Sequence, residues 1–577
     1  MATACPVLAK VSLALLKLSI IFKHTFMESI DCIVVGYNDI PFDRYVNLIE
    51  RYGKGSEAYR DLKFSFIDLD HGPSNYVELL NHVVDAAAVQ KGASARQGFV
   101  SGEIPNLAAV YLSNFLRRHG LTANYINLFQ NEKEEFELLL RKDPLCVAIT
   151  TTFYVLNFPV NEIVQFIRAR NPRVKIVVGG PLIGNHLRNY SDSELVDVLN
   201  DIKADYYVVD SQGEATLAAL VRCLKENRDP AGIPNLAYIS GGRVATSPLL
   251  PETNSLDETD IDWSQFAREM PLGMTLQMRT ARSCAFKCSF CNYPTRAGKL
   301  SLAGVETVRR ELESIRTAGN IRNVVFIDDT FNVPLPRFKE LCRMMIDCKF
   351  HFNWFSYFRC SNSDEEAFEL MAESGCKGVF LGIESGSPAI LKNMNKAASV
   401  ERYAEGIKRL KEHGIVTFGS FITGFPGETD ATVQQTIDFI RENKPDFYRS
   451  QIWYCEPGTP IFREKEKYAI SGEGFVWEHA TMSSPEAMDH IERMFLEIKE
   501  SLWLPQWSFD FWFIPYFLGK GLSVDNFRTF LAHASRLLTL DLEYAPAAEK
   551  RRMQTEHMRE MVDAIKSWPA ISQSAAA

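Results

Sequence analysis

No apolar run in this sequence is long enough to cross a bilayer. The best candidate, Val11 to Phe22, is interrupted by Lys17 and falls short of the roughly 20 consecutive apolar residues that a spanning helix requires. No clean small-residue cleavage site follows it, so residues 1–29 read as a leader, or as the product of a start placed upstream of Met27, and not as an export signal. Cysteine is sparse, with 12 in 577 residues, and lacks the regular density of a disulfide framework. Cys32, Cys146, Cys223, Cys342 and Cys455 stand singly in apolar runs and read as small buried hydrophobes. A reducing, cytoplasmic compartment follows. There is no basic excess: 63 Lys and Arg face 72 Asp and Glu, a net charge of −9, which excludes a general nucleic-acid binder. With 46% hydrophobic and 23% charged residues, the chain is neither disordered nor collagen-like. At roughly 100–200 residues per domain, its length predicts about three domains.

Residues 30–240 alternate strand and helix signals. Strands are expected at Ile30–Gly36, Tyr125–Phe129, Cys146–Thr152, Val174–Val178 and Tyr206–Asp210, and helices at Pro105–Gly120, Val160–Arg170 and Glu214–Glu226. Residues 40–104 interrupt this pattern with a long excursion of mixed composition. Strands separated by helices imply a parallel, doubly wound, Rossmann-like sheet with right-handed crossovers, and such sheets bind ligands beyond the carboxyl ends of their strands. Four polar loops fall there: Tyr37-Asn38-Asp39, Thr150-Thr151-Thr152-Phe153-Tyr154, Gly179-Gly180-Pro181 and Ser211-Gln212-Gly213-Glu214. Glycine lets backbone approach a ligand closely, and hydroxyls supply donors and acceptors. No GxGxxG opens the first helix, so the dinucleotide fingerprint is missing.

Residues 241–275, rich in Pro, Ser, Asp and Glu, read as a linker. Six strand–helix repeats follow within 276–460, too few for an eight-fold barrel and suited to an open, partial (β/α)6 barrel. Residues 461–577 read as a mainly helical C-terminal domain. The aromatic stretch Trp503–Leu518 is expected to be packing surface, with a lid over a substrate pocket as the alternative.

The strongest chemical signal is Cys284-x3-Cys288-x2-Cys291, directly after the first strand of the partial barrel. Three thiolates within eight residues suit a soft metal centre. Structural zinc takes four protein ligands and no fourth stands nearby. A [4Fe–4S] cluster on three cysteines keeps one iron open for an exogenous ligand. The motif, with aromatic Phe290 before its last cysteine, resembles the radical SAM superfamily. That resemblance implies that the open iron binds S-adenosyl-L-methionine (SAM) and that reductive cleavage gives a 5′-deoxyadenosyl radical. It also implies cofactor-binding roles for Phe290, Asp328, Asp329, Arg359, Glu384, Ser385 and Gly424, which lie in the cysteine loop and at the ends of the second to fifth strands. Arg359 suits a carboxylate, which it can meet bidentately.

A doubly wound domain before such a barrel is similar to the cobalamin-binding arrangement of this superfamily. The resemblance implies cobalamin contacts at Tyr37, Asn38, Thr151, Thr152, Phe153, Gly179, Gly180, Pro181, Ser211, Gln212, Gly213 and Glu214. The DxHxxG motif for a lower axial histidine is absent, since Asp68-Leu69-Asp70-His71-Gly72 has the wrong spacing. The strings VVGYND, TTTFYV, VVDSQGE, RTARSC, CNYPTRAG, FIDDTFNVPLPRFK, FLGIESG and MNK resemble the cobalamin-dependent P-methyltransferases of phosphinothricin tripeptide biosynthesis. That resemblance implies methyl transfer from methylcobalamin to a substrate radical, with a phosphinate or related natural-product intermediate as the small-molecule partner. It further implies an external one-electron reductant such as flavodoxin or ferredoxin, and neither nucleic acid nor membrane as partner. Methylation of an unactivated carbon, or cobalamin-dependent cyclisation without methyl transfer, stays open at this point. For an anionic substrate, Arg279, Arg282 and Lys287 are possible anchors, against the plainer reading of solvated or structural charges.

Overall fold

In the computed structural model, residues 29–70, 72–90, 98–100, 103–209, 212–270, 272–506, 512–543, 547–566 and 568 are described. Residues 1–28 of the expected leader, His71, Asp210 (the end of the expected strand Tyr206–Asp210) and Ser211 lie outside them. The chain divides into two compact units, one of residues 1–39 and 108–252, the other of residues 40–107 and 253–577.

The first unit is built on a seven-stranded sheet. Its strands are β1 (Cys32–Tyr37), β2 (Ala123–Leu128), β3 (Cys146–Thr150), β4 (Lys175–Gly179), β5 (Tyr206–Val208), β6 (Leu236–Ser240) and β7 (Arg243–Thr246), in the order β2-β1-β3-β4-β5-β6-β7. The first five are parallel; β6 and β7 add antiparallel. Side chains alternate across a strand, so a sheet covered on both faces needs apolar residues at every position. Ile33 and Val35 enter one core with Val160, Ile163 and Ile167 of helix α2 (Phe158–Arg170). Cys32 and Val34 enter the other with Phe115 of α1 (Leu107–Arg118) and with Leu217 and Val221 of α4 (Glu214–Lys225). Helix α3 (Pro181–Asn189) follows β4 directly. The order reverses direction between β1 and β3, which opens the crevice where doubly wound sheets take ligands.

The second unit carries a sheet of β8 (Thr275–Met278), β9 (Asn323–Phe326), β10 (Asn353–Phe358), β11 (Cys376–Glu384), β12 (Val416–Thr423), β13 (Phe447–Ile452) and β17 (Leu502–Trp503), all parallel and in chain order. β8 and β17 stay unjoined, so the barrel is open, as expected. Helices α5 (Trp263–Glu269), α6 (Val305–Ala318), α7 (Leu335–Asp347), α8 (Val400–Glu412), α9 (Asp430–Asn443) and α10 (Ser484–Glu497) belong to this unit, with a small antiparallel sheet of β14 (Ser471–Glu473), β15 (Val476–His479) and β16 (Met482–Ser483). The outer face of the large sheet is fully buried at Leu276, Val379, Leu381 and Phe421. The intervening positions Gln277, Tyr357, Phe380, Ser420, Ile422 and Gln451 remain half-buried. The inner face is therefore less tightly filled than the outer one.

Three boundaries differ from the sequence reading. The 30–240 domain is discontinuous: residues 40–107 pack in the second unit. There the Lys63 ammonium sits between Asp68 and the buried Asp541, at 2.9 and 2.7 Å, and Phe64 packs on Phe495 and Trp503. The 241–275 linker is structured at both ends. β7 completes a hairpin with β6, and α5 buries Trp263 and Phe266, with the Trp263 indole donating to Glu311 at 3.1 Å. Residues 461–577 are mainly helical, as expected, but they also supply β17 to the barrel sheet and so do not stand apart from it. Each difference is a long-range pairing that local periodicity cannot carry. In the aromatic stretch, Trp503, Leu504, Ile514, Tyr516 and Phe517 are buried as packing residues; residues 507–511 lie outside the described set. Among the described residues no helix is long and apolar enough to cross a membrane.

Candidate active site

The cysteine loop leaves β8 and is held at three points. Asp328, buried at the end of β9, accepts N–H bonds from Thr280 and Ala281 (2.6 and 2.9 Å) and the Thr280 hydroxyl (2.5 Å). Arg337 donates to the Thr280 carbonyl at 3.1 Å. Farther along, Ser289 donates its N–H to Met394 O and its hydroxyl to Asn393 O, both at 2.8 Å, and accepts from Ile461 N–H at 2.9 Å. Hydrogen bonds within the protein thus fix the loop. Cys288 is buried; Cys284 and Cys291 are half-buried, and the Cys284 thiol lies 3.6 Å from the Thr330 hydroxyl. Burial pushes the Cys291 thiol up to about 11, with the Tyr293 N–H opposing. Burial also raises Cys288, against the nearby positive charges of Lys396 and Arg359. A donor set of three thiols on a fixed loop with cations beside it fits an iron–sulfur cluster, which binds thiolates and carries negative charge.

Charged groups surround this loop. Glu384 ends β11 with φ +70, the left-handed region that non-glycine residues seldom enter. Its carboxylate accepts from the Lys396 ammonium at 2.8 Å, and both residues are buried. Burial pushes Lys396 down, but Glu384, Tyr403 and Cys288 together outweigh it and raise the ammonium above its ordinary value. The Arg359 guanidinium lies 3.6 Å over the Phe286 ring, its Nη2 buried and without a partner. Phe290 packs edge-on against Phe425, with Lys396 Nζ 5.4 Å from its ring centre. Asp329 keeps an open side to solvent, yet the surrounding wall, and then Asp328, raise its carboxyl to about 7 while Tyr293 hydrogen-bonds it.

The structure therefore brings Cys284, Cys288, Cys291, Phe290, Asp329, Arg359 and Glu384 to one region. It places Asp328 and Ser385 within internal networks: Asp328 in the loop anchor, Ser385 against Thr436 Oγ1 (3.2 Å) and the Ser387 N–H (3.1 Å). Sequence reasoning missed Lys396 and Tyr293. MNK was read as a motif, but nothing local shows Lys396 folding back twelve residues onto Glu384.

Gly424 follows β12 with φ +88 and donates its N–H to Glu428. Glu428 is buried, and burial pushes its carboxyl up to about 8 against N–H bonds from Gly424 and Phe425. Folding favours its protonated form. Its contribution to stability is full below the ordinary value of 4.5 and is lost as pH climbs through about 8. Glu428→Gln should flatten the fall in urea midpoint between about pH 5 and 8; an unchanged slope would assign that fall to other groups.

In the first unit, Tyr37 stacks on Tyr154 (5.9 Å) and meets Phe153 edge-on (5.7 Å) at the β1/β3 crevice. Tyr154 was not foreseen as a contact; its hydroxyl accepts the Asn38 N–H at 2.5 Å. Asn38 donates to Pro159 O (3.0 Å) and Glu162 (3.1 Å), leaving its buried Oδ1 without a partner. Thr151 is buried and bonded to Gly179 O, whereas Thr152 and Phe153 are exposed. A Cβ at Gly180, where φ is +116, would stand 2.7 Å from Thr151 Oγ1. A narrow glycine cradle, an orphan acceptor and exposed aromatic surface fit a large cofactor such as cobalamin. Gly180→Ala, strained and overpacked, is expected to lower cobalamin retention on the order of tenfold, read by absorbance after gel filtration; full retention would remove this loop from the cradle. Pro181 begins α3. Gly213 caps α4 with φ +70, and Glu252 occupies the Ala215 and Thr216 N–H groups (both 2.8 Å). Gln212 and the buried Glu214 flank that cap.

Residues 278–440 match the radical SAM superfamily and residues 98–221 match the B12 binding domain. The chain thus joins a B12-binding segment to a radical SAM segment, and its cofactors are a [4Fe–4S] cluster, SAM and cobalamin. Among curated proteins the chain is 28% identical to an uncharacterized methyltransferase of Pyrococcus horikoshii, over 64% of this chain and 79% of that one. It is 25% identical to an anaerobic magnesium-protoporphyrin IX monomethyl ester cyclase of Rubrivivax gelatinosus, over 68% and 72%. Its fold is similar to the radical SAM methyltransferase TsrM of Kitasatospora setae, solved with cobalamin and a [4Fe-4S] cluster bound (TM-score 0.57, 19% identity, 80% of this chain and 97% of that one).

Proposed function

We propose that this enzyme methylates a small molecule by radical chemistry, taking as substrate a phosphinate P–H intermediate of natural-product biosynthesis. When bound, the cluster supplies the electron that cleaves SAM, and cobalamin carries the methyl group. The chain's own residues do the rest. Cys284, Cys288 and Cys291 hold the metal, while Glu384, Asp329 and Arg359 offer two carboxylates and a guanidinium to the amino, hydroxyl and carboxylate groups of SAM. The observation that carries this reading is the gathering of those side chains around a fixed three-cysteine loop. Hydrogen leaves the substrate as 5′-deoxyadenosine forms, and a methyl group takes its place. The choice of phosphorus over carbon rests on the resemblance of its sequence strings to the P-methyltransferases. A flavodoxin or ferredoxin is the proposed electron donor.

The test is anaerobic turnover with methyl-deuterated SAM and a panel of P–H and C–H substrates, followed by mass spectrometry. A P–H substrate gaining one labelled methyl is the expected result. A labelled methyl on carbon would move the enzyme to the C-methyltransferases. A product without added methyl, formed with 5′-deoxyadenosine, would favour the cyclase reading suggested by the Rubrivivax relative.

A further inference from the structure

The turn after β12 is held from a direction the barrel repeats do not supply. β15 belongs to the small sheet that follows the sixth repeat, and its Trp477 and His479 lie two residues apart on one face, both buried. Their rings are parallel within 4°, with centroids 5.3 Å apart. The Trp477 indole donates to Trp453 O at 2.8 Å, which fixes this pair against the end of β13. The His479 Nε2 lies 3.1 Å from Gly424 O. Its Nδ1 lies 3.3 Å from the Thr481 N–H, which can only donate, so Nδ1 is the acceptor and Nε2 carries the proton toward Gly424. Both backbone groups of Gly424 are thus held: its N–H donates to Glu428 and its carbonyl accepts from His479. Space is equally constrained, since a Cβ at Gly424 would collide with the Trp477 ring and stand 2.8 Å from Ala487 Cβ.

We infer that His479, backed by Trp477, is a positioning residue that sets the Gly424–Glu428 turn for SAM. This rests on the SAM-binding role that the radical SAM resemblance gives Gly424. His479 touches the turn and not the reacting atoms. Without His479, the Gly424 carbonyl would be free to rotate and the turn would lose its fixed backbone direction. Loss of one such buried bond predicts a weakening of SAM binding of about fivefold to tenfold.

The experiment uses the full chain, reconstituted anaerobically with iron and sulfide, as wild type, His479→Ala and His479→Gln. Iron and sulfide content, the EPR spectrum of the reduced cluster, and SAM affinity by equilibrium dialysis are measured together. The expected result is unchanged cluster content and unchanged SAM-free spectrum in all three. SAM binding should be about fivefold to tenfold weaker in His479→Ala, and largely restored in His479→Gln, whose amide N–H can reach the same carbonyl. Wild-type affinity in His479→Ala overturns the inference. So does equal loss of cluster and affinity in both variants, which would mark a general structural role. A wild-type protein that carries the cluster yet binds no SAM overturns the underlying reading instead, and is told apart because it needs no variant.

Discussion

Cys288→Ala is expected to abolish SAM cleavage, by on the order of 10³ or more, while leaving a folded protein. Cys288 is the most buried of the three cysteines and faces Lys396 and Arg359. Two thiolates cannot hold a cubane with an open iron against exchange, so iron and sulfide should be lost together. The fold should survive because the loop is fastened by its neighbours and not by the thiol: the bonds of Ser289 to Asn393 and Met394, and those of Asp328 to Thr280 and Ala281, are untouched. Cys342→Ala is the matching control. That thiol is fully buried on α7, so its loss should cost modest stability and leave the cluster in place. Iron, sulfide and 5′-deoxyadenosine are measured on both variants. Normal 5′-deoxyadenosine formation by Cys288→Ala would remove the loop from the chemistry altogether.

Much of the frame was legible because it is local. β1 and β3 are short apolar runs ended by polar residues, and the helices between strands carry their own boundary signals, as with Pro105 just before α1 and Gly120 just after it. The cysteine loop was legible from spacing alone. What stayed hidden depends on partners far away in sequence. Residues 40–107 show no sign that Lys63 will pair with Asp541. β17 is two residues long and is a strand only because β13 lies beside it. The cap of α4 by Glu252 was equally invisible, since it reaches back from a segment that composition marks as a linker. Asp328 illustrates the limit within a motif. Two adjacent acids at a strand end look equivalent in sequence, but alternation turns one into the loop and leaves the other open to solvent.

Lys396→Met tests the charge arrangement rather than the metal. Lys396 and Glu384 are both buried, and the carboxylate is already committed to a left-handed backbone conformation at φ +70. Such conformations cost about 1–3 kcal/mol and persist only where their surroundings over-determine them. Here the surroundings include the 2.8 Å ion pair, the Tyr403 hydroxyl on Gly382 O at 3.3 Å, and a register shift between β11 and β12 at this point. Removing the ammonium leaves a carboxylate buried without its counter-charge, and breaking a buried pair in this way costs about 3–5 kcal/mol. The double variant Lys396→Met/Glu384→Gln should recover much of that loss, because a neutral amide needs no counter-charge, and the difference isolates the pair by a double-mutant cycle. SAM binding should separate the two properties: stability returns in the double variant, whereas affinity does not, because the carboxylate proposed to hold the cofactor is gone. Urea midpoints of the metal-free proteins, together with SAM affinity of the reconstituted ones, decide it. A Lys396→Met protein as stable as wild type would mean that Glu384 finds solvent or another donor, and the pair would then carry neither the strand end nor the site.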